Sequence, residues 1–515
     1  LAALLLISMN LVAQEPVDAL RYSWITQGGT ARMLGSGGAT TALGGDISAT
    51  FTNPAGLGLY KTNELVLSPG FRLINDKTNY RDMAEKDNKS SFDFGTTGAV
   101  FGLPLRGNRN WKSAAFSLAL NRAANFNGNM ILRGNNNQSS YSEKYLEELV
   151  NNNVTDPNMA AQNFPYGASL AFNTFLIDTL NDAGGQLSGY RSLAPVGTGL
   201  LQQQTIKTKG GITDFAFAGA GNYLDKLYIG ASIGISILNY DRQSSFTESD
   251  ATNNSNNNFN YFTTDETLKT SGGGASLKLG VIFKPVESVR LGLSFHSPTW
   301  YQLKDVYTAA VTTDLEGYGG SGIKSQSSTD FNNGMAGEYN YYYTTPWRAA
   351  FGAAYVFREE SDVRQQRGYV SADVEYVNYS ASSFRAQSST DQTSTDYFNT
   401  LNQKIDGVFK SAVNIRVGGE LKFNTIMVRA GYAFYGNPYT ANFFNNKTSD
   451  IVKANHMNVS AGLGWRDKGI FVDLTAVYRM SKDAYYPYRL DQSVFSPASI
   501  NSNGINVLAT VGFKF

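Results

Sequence analysis

Ile470–Met480 reads IFVDLTAVYRM. Ile470, Val472, Leu474, Ala476, Tyr478 and Met480 fall on one face of an extended chain, and Phe471, Asp473, Thr475, Val477 and Arg479 on the other. A strand turns successive side chains to opposite faces, so this segment is a strand with one greasy and one mixed face. Val370–Tyr376 repeats the pattern, with Ser371, Asp373 and Glu375 on its polar side. So does the end of the sequence, Gly504–Phe515 (GINVLATVGFKF). Ile505, Val507, Ala509, Val511, Phe513 and Phe515 form its apolar face, opposite Asn506, Thr510 and Lys514. A soluble sandwich also alternates, so the connections have to decide.

Working outward, similar segments cover 64–75, 93–104, 111–124, 212–223, 227–241, 270–284, 288–302, 345–358, 368–380, 412–423, 426–436, 456–466, 469–480 and 504–515. Most match or slightly exceed the roughly 9–11 residues that cross a tilted barrel wall. Their links alternate in length. Short ones fall near Gly107–Asn110, Asn222–Lys226, Lys284–Glu287, Asn424–Thr425 and Asp467–Lys468, with a longer one at Glu359–Arg367. Long ones fall near 76–92, 125–211, 242–269, 303–344, 381–411, 437–455 and 481–503. With the N-terminus in the periplasm, every short link lies on the periplasmic side and every long one outside. Outer-membrane barrels sort their loops this way, and a sandwich has no reason to. The expectation is an all-β, 14-stranded antiparallel transmembrane barrel, within two strands, closed by the segment ending in Phe515. The LKDVYTAAVTT run from Leu303 extends the wall on this reading, and Pro69 predicts a bulge or break in the first strand.

Composition narrows function. Among 515 residues, 17% are charged and 13% aromatic, with 51 Gly, 31 Phe and 30 Tyr. That suits many strands with aromatic ends better than a helical enzyme. A net charge of +1 provides no field for nucleic acid. The absence of cysteine removes disulfides and thiolate metal sites, and no lipid-modified N-terminal Cys is expected. The two histidines, His296 and His456, lack a partner at metal spacing, and no cofactor is expected. His296 and Ser297 point to opposite faces unless the strand breaks at Pro298, so no catalytic pair is expected.

Leu1–Ala13 (LAALLLISMNLVA) is apolar but too short for a membrane helix, and reads as the remnant of an export signal with Ala13 at the −1 position. Residues 14–60 are rich in Gly, Ala, Ser and Thr and hold no clean strand. Within the 125–211 link, Ser140 and Glu143 form a capping box ahead of Tyr145, Leu146, Leu149 and Val150, and Asp156–Pro157 starts a second helix. Phe164, Leu170, Phe172, Phe175 and Leu176 add apolar surface there, either packed on itself or forming a ligand groove over the barrel mouth.

Residues 28–60, GGTARMLGSGGATTALGGDISATFTNPAGLGLY, resemble the FadL/TodX family of outer-membrane transporters of hydrophobic compounds. That family typically opens with a Gly/Ala-rich run, an Asp-x-Ser step and Asn-Pro-Ala-Gly-Leu, here Asp46, Ser48, Asn53, Pro54, Ala55, Gly56 and Leu57. VRLGLSFHSPTW at Val289–Trp300 and TPWRAAFGAAYVF at Thr345–Phe357 resemble two of its strands, and VRAGY at Val428–Tyr432 is a weaker echo. The resemblance implies a hatch over 14–60 plugging a barrel over 61–515. It also implies passive uptake of fatty acids or aromatic hydrocarbons, with a sideways exit at a kink in the third strand. Asn121 and Ala123 mark a loss of alternation there, which reads as the strand's end in preference to a kink. Arg32 and Arg122 are candidate carboxylate partners. Asn53–Ala55 serves either the ligand or only the shape of a turn. The expected partners are outer-membrane lipid, a hydrophobic small molecule and the barrel-assembly machinery, which would recognise Phe515, with the chain itself monomeric. A barrel that hands over protein cargo during secretion is the alternative.

Overall fold

An isolated amphipathic strand leaves a row of unpaired N–H and C=O groups on each edge. Fourteen of them leave none if the last pairs with the first. The computed structural model describes residues 14–25, 28–105, 110–320, 322–357, 367–388, 390–444, 454–491 and 497–515, and the ladder in it closes. The export-signal segment 1–13 lies outside the described residues.

The wall strands are β1 (Glu64–Leu67 and Pro69–Tyr80), β2 (Met83–Phe94 and Thr97–Pro104), β3 (Trp111–Asn125 and Gly128–Asn136), β4 (Leu200–Tyr223) and β5 (Leu227–Asp250). Next come β6 (Tyr261–Val286), β7 (Val289–His296 and Trp300–Asp314), β8 (Gly337–Thr344 and Arg348–Phe357) and β9 (Gly368–Asn378 and Ser383–Ala386). The last are β10 (Ser411–Phe423), β11 (Ile426–Tyr435), β12 (Asn455–Asp467), β13 (Ile470–Tyr485) and β14 (Ala498–Lys514). Neighbours pair antiparallel in sequence order, and β14 pairs with both β13 and β1. Phe515 seals the joint through two backbone hydrogen bonds with Asn63, at 3.0 and 3.1 Å. The expected break in the first strand falls at Ser68, beside Pro69.

The side-chain pattern is inside out relative to a soluble protein. On β5, Ile233 and Ile235 are 62% and 59% exposed, while Ser232 and Ser236, which flank them, are buried. On β13, Ile470, Val472, Leu474 and Tyr478 face outward and Asp473 and Thr475 inward. This apolar belt runs over all fourteen strands. A belt of this extent matches the lipid-facing band of a transmembrane barrel.

Several segments read as outer links are strands. The 76–92 stretch is the end of a long β1–β2 hairpin, turned by Arg81 and Asp82, both at positive φ. β4, β5 and β6 each run for 24 to 26 residues and rise well past the belt. Inside, the lower lumen holds residues 28–60, and the upper half is filled by an aromatic core. Helix α1 (Pro16–Ser23) stands in that core: Tyr343 donates to Ala19 O at 2.6 Å, and Tyr22 packs against Phe126 and Tyr240. Helix α2 (Ala31–Gly35) belongs to the plug. The outer link forms α3 (Ser142–Asn151), α4 (Pro157–Gln162), α5 (Ala168–Asn173) and a small hairpin, and α6 (Gln392–Val408) joins them from the β9–β10 link. Glu143 accepts from Ser140 N and Asp156 caps α4, as the sequence suggests. Val150, however, is 69% exposed and does not share the buried face of Tyr145 and Leu149.

Candidate functional site: a cavity between plug and wall

A plug of irregular backbone needs partners for its polar groups, and this one takes them from the wall. Serine and threonine hydroxyls on β9, β12 and β13 donate to the carbonyls of Ala39, Gly35 and Ala31. Arg290 on β7 donates to Leu43 O at 2.6 Å, and Thr41 N and Oγ1 both donate to Asp373 on β9. Thr510 on β14 accepts from Ala31 N, and Ser117 on β3 bonds Thr50. The staples therefore run around the whole circumference.

The Asp-x-Ser and Asn-Pro-Ala motifs are parts of this anchoring. Asp46 accepts from Thr30 Oγ1 and Ser48 N, and Ser48 Oγ accepts from Thr30 N. Asn53 Nδ2 donates to Thr41 O and reaches Val281 O and Leu293 O of the wall, while its Oδ1 accepts from Ala55 N. The wall gives way to receive it. A Cβ on Gly280 would lie 1.8 Å from Asn53 Oδ1, and one on Gly230 2.5 Å from the Pro54 carbonyl carbon. Gly56 packs on Gly44 with equally little room.

Arg32 lies in the plug, with Nε 3.3 Å from Glu420 Oε2 and Nη1 3.1 Å from Gly45 O. Glu420 also meets Arg429, which in turn meets Asp473, each at 2.6 Å, in a largely buried network joining α2 to β10, β11 and β13. The Arg32 charge is thus answered by a carboxylate of the protein itself. His296 Nε2 lies 2.7 Å from Thr52 O. β7 does break after His296, yet Ser297 Oγ bonds Leu277 N and Pro298 O, and the two side chains form no nucleophile–base pair.

A cavity of about 240 Å³ opens above the plug. Gly28, Gly29 and Leu34 form its floor and Trp24, stacked on His456 at 4.0 Å, one side. Four arginines reach its lining, Arg21, Arg72, Arg122 and Arg479, against the single carboxylate of Asp93. Arg21 is already paired with Asp18. Arg122 donates to Gly210 O and Thr213 Oγ1, and Arg72 Nε is buried without a hydrogen-bond partner. Ile74, Phe94, Ala123, Phe126 and Ile505 supply apolar lining.

One side of this cavity is a seam in the wall. The lower part of β2 pairs with β3 from Pro104↔Ser113 up to Thr97↔Leu120. Above that rung, Met83–Phe94 pairs with β1 alone and Gly128–Asn136 with β4 alone. β3 bulges at the same height: Arg122 faces Thr213 and Ala124 faces Ile212, leaving Ala123 as the extra residue. The loss of alternation at 121–124 is thus a bulge in a continuing strand and not the strand's end. Asn121 Oδ1 accepts from Thr96 Oγ1 at the foot of the seam. Side chains bridge it higher up, Asn125 Nδ2 to Ser91 Oγ at 3.5 Å and Thr78 Oγ1 to Ile131 O. The cavity touches both lips, through Asp93–Gly95 and Arg122–Phe126.

Of the sequence-selected residues, the structure brings Arg122 and Ala123 to this cavity, with Asn121 just beneath it. Arg32 and the motif residues 46–56 anchor the plug instead. Phe164, Leu170, Phe172, Phe175 and Leu176 pack into the outer aromatic core, with Leu170 and Leu176 fully buried. Sequence reasoning missed Arg72 and Arg479. Both are basic residues on the inward face of otherwise apolar strands, FRLI at Phe71–Ile74 and AVYRM at Ala476–Met480, and that parity was the available signal.

Comparison with known proteins yields no matching family model and no matching curated sequence. Solved structures do match. A FadL homologue of Pseudomonas aeruginosa superposes with a TM-score of 0.55 at 13% identity, over 96% of this chain and 100% of that one. The toluene transporter TodX of Pseudomonas putida superposes at 0.51 with 12% identity, over 95% and 99%. At such identities the likeness establishes a shared fold.

Proposed function

We propose that this chain is an outer-membrane channel for hydrophobic small molecules, which leave its lumen sideways through the seam between β2 and β3. The observation that carries the reading is the placement of the cavity: it sits on the plug and reaches both unpaired lips of the wall. The staples around the plug oppose a straight path down the lumen. A sideways path needs only the few side-chain bridges at Ser91, Asn125, Thr78 and Ile131 to part. The apolar belt supports a bilayer location, and lateral release delivers a greasy ligand directly into hydrocarbon.

The volume suits a single aromatic ring or a stretch of acyl chain, since an apolar cavity of about 150 Å³ holds benzene. TodX is described as a toluene transporter. The basic lining here favours a ligand with an anionic head, such as a fatty acid. Arg72 and Arg122 would receive its carboxylate by charge-assisted hydrogen bonds. The test is uptake into liposomes carrying the full chain. Oleate should enter faster than in protein-free liposomes, while raffinose stays out. Arg72→Ala with Arg122→Ala should slow oleate about 10-fold or more, the scale of one or two lost charge-assisted hydrogen bonds, and spare toluene. No acceleration of any fatty acid or aromatic hydrocarbon would refute the proposal.

A second reading, a barrel that hands over protein cargo, is favoured by exposed apolar side chains on the outer cap, Val150, Met159, Leu180 and Ile323. It predicts a defined protein co-purifying with the wild type and lost on Val150→Asp with Ile323→Asp. Purification of the wild type alone would argue against it.

A further inference from the structure

The outer surface just above the apolar belt is not charge-balanced. Lys482 on β13 pairs across to Asn501 on β14, Asn501 to Lys77 on β1, and Lys77 to Lys86 on β2, all on one continuous rung. The three lysines share the parity of Tyr478, of Phe71 and Leu73, and of Phe92, which are exposed, and each lysine is itself exposed. They therefore point outward. Lys77 and Lys86 are directly opposed like charges, an arrangement that destabilises a sheet when nothing answers it.

No described residue on that face answers it. Two residues along each strand, the positions of the same parity are Asn75 and Asn79, Ala84 and Asn88, Ser499 and Asn503, and Met480 and Ala484, none of them charged. The nearby carboxylates, Asp76, Asp87 and Asp483, have the opposite parity and belong to the inner face. Among the described residues, none of the three lysines forms an ion pair. Immediately below them lie Phe71, Leu73, Phe92, Tyr478 and Ile505 of the belt. Lys77 stands four residues beyond Leu73, which at about 3.3 Å per residue along a tilted strand sets the ammonium row roughly 10 Å above the hydrocarbon edge.

Apolar wall below and clustered ammonium groups at that height match the two parts of a phosphate-bearing lipid. We infer that the Lys77–Lys86–Lys482 row is a binding site for the phosphate headgroup of an outer-leaflet lipid whose acyl chains lie on the belt beneath. Lysine ammonium groups bind phosphate as point charges, and three of them can share the two or three oxygens of one group. The site has a consequence for the seam. Lys77 and Lys86 belong to the β1–β2 hairpin, whose free edge is one lip of it, so a bound lipid holds that lip from outside. The inference rests on the bilayer location proposed above.

The experiment uses the full chain in a neutral maltoside detergent, titrated in native mass spectrometry with three separate probes: bis-phosphorylated lipid A, diacylglycerol and inorganic phosphate. The comparison is Lys77→Gln/Lys86→Gln/Lys482→Gln, with Lys269→Gln/Lys410→Gln as a control for exposed lysines elsewhere. The wild type and the control should bind lipid A equally. The triple variant should bind it about 100-fold more weakly, roughly five-fold per lysine, and the difference should shrink at high salt. Diacylglycerol binding should be unchanged. Equal lipid A binding by the triple variant, or equal loss in the control, overturns the proposal. Inorganic phosphate binding as tightly as lipid A also overturns it, because the site would then be one for a free ion. Flotation with vesicles separates this from the broader reading: the triple variant should float as the wild type does, and a wild type that does not float overturns the bilayer location itself.

Discussion

Replacing Arg429 with Met removes the one cation shared by two buried carboxylates. Its side chain is inaccessible, with Nε 2.6 Å from Glu420 and Nη1 2.6 Å from Asp473. After the change, Glu420 keeps Arg32 of the plug at 3.3 Å. Asp473, itself inaccessible, keeps only Arg466 at 3.6 Å. Breaking a buried pair by deleting one partner costs about 3–5 kcal/mol, because the charge left behind is uncompensated. The remaining partners place the expected loss near the lower end, at about 3 kcal/mol. Reversible urea unfolding in liposomes, followed by tryptophan fluorescence, measures it. Arg429→Met/Asp473→Asn removes the cation together with the carboxylate that depended on it, leaves Glu420 with Arg32, and should recover most of the loss, since the one partner then freed, Arg466, is 29% exposed. Because the network ties α2 of the plug to three wall strands, the single variant should also admit small polar solutes that the wild type excludes. A loss below about 1 kcal/mol, or a double variant as damaged as the single one, would refute the claim that this network holds the plug by charge.

Other consequences follow from particular contacts. Gly280→Val cannot coexist with Asn53 in place, since even the first added carbon meets Asn53 Oδ1 at 1.8 Å. The barrel should still fold, losing about 1–3 kcal/mol, and planar-bilayer recordings should show open-channel conductance absent from the wild type. Above the belt, burial pushes the Glu248 carboxyl up to about 7, opposed by hydrogen bonds from Ser140, Tyr141 N and Gln202. The folded cap therefore binds this proton more tightly than the unfolded segment does. Its stability is fullest below the ordinary glutamate range and falls as pH rises toward 7. The protection of α3 amides against hydrogen exchange, taken relative to their intrinsic rate at each pH, should fall between pH 5 and pH 8, and Glu248→Gln should flatten that dependence. We propose that Phe515 serves assembly more than stability, because its ring is 71% exposed while its backbone carries the bonds to Asn63. Phe515→Ala should lower the yield of barrel assembled in cells and leave the midpoint of a refolded sample within a degree or two.

The fourteen strands were legible because lipid on one side and a polar lumen on the other impose alternation, and because loop lengths sort by side. The strand ends were less so. Polar outward residues such as Lys77, Gln243 and Lys269 read as loop, but their backbones continue in the ladder. Polarity there records the edge of the hydrocarbon, not the edge of the sheet. The Asn-Pro-Ala motif announced a fixed turn, while its partners, Gly230 and Gly280 on the wall, lie far away in sequence. Arg32 looked available for a ligand because Glu420 is 388 positions distant. The seam was the least legible feature. It is an absence of pairing between β2 and β3, and each strand taken alone still alternates. The bulge at Ala123 left a trace only as a stumble in that alternation.

The central claim is that ligand passes between the lips of β2 and β3. The chain has no cysteine, so Ser91→Cys with Asn125→Cys, whose native side chains meet at 3.5 Å, places two unique thiols across the seam. Oleate entry into liposomes carrying this variant should be normal with the thiols free. It should fall to the protein-free rate when a short, reducible cross-linker joins them, and return on reduction, with raffinose excluded throughout. Undiminished oleate entry through the cross-linked barrel would contradict the account.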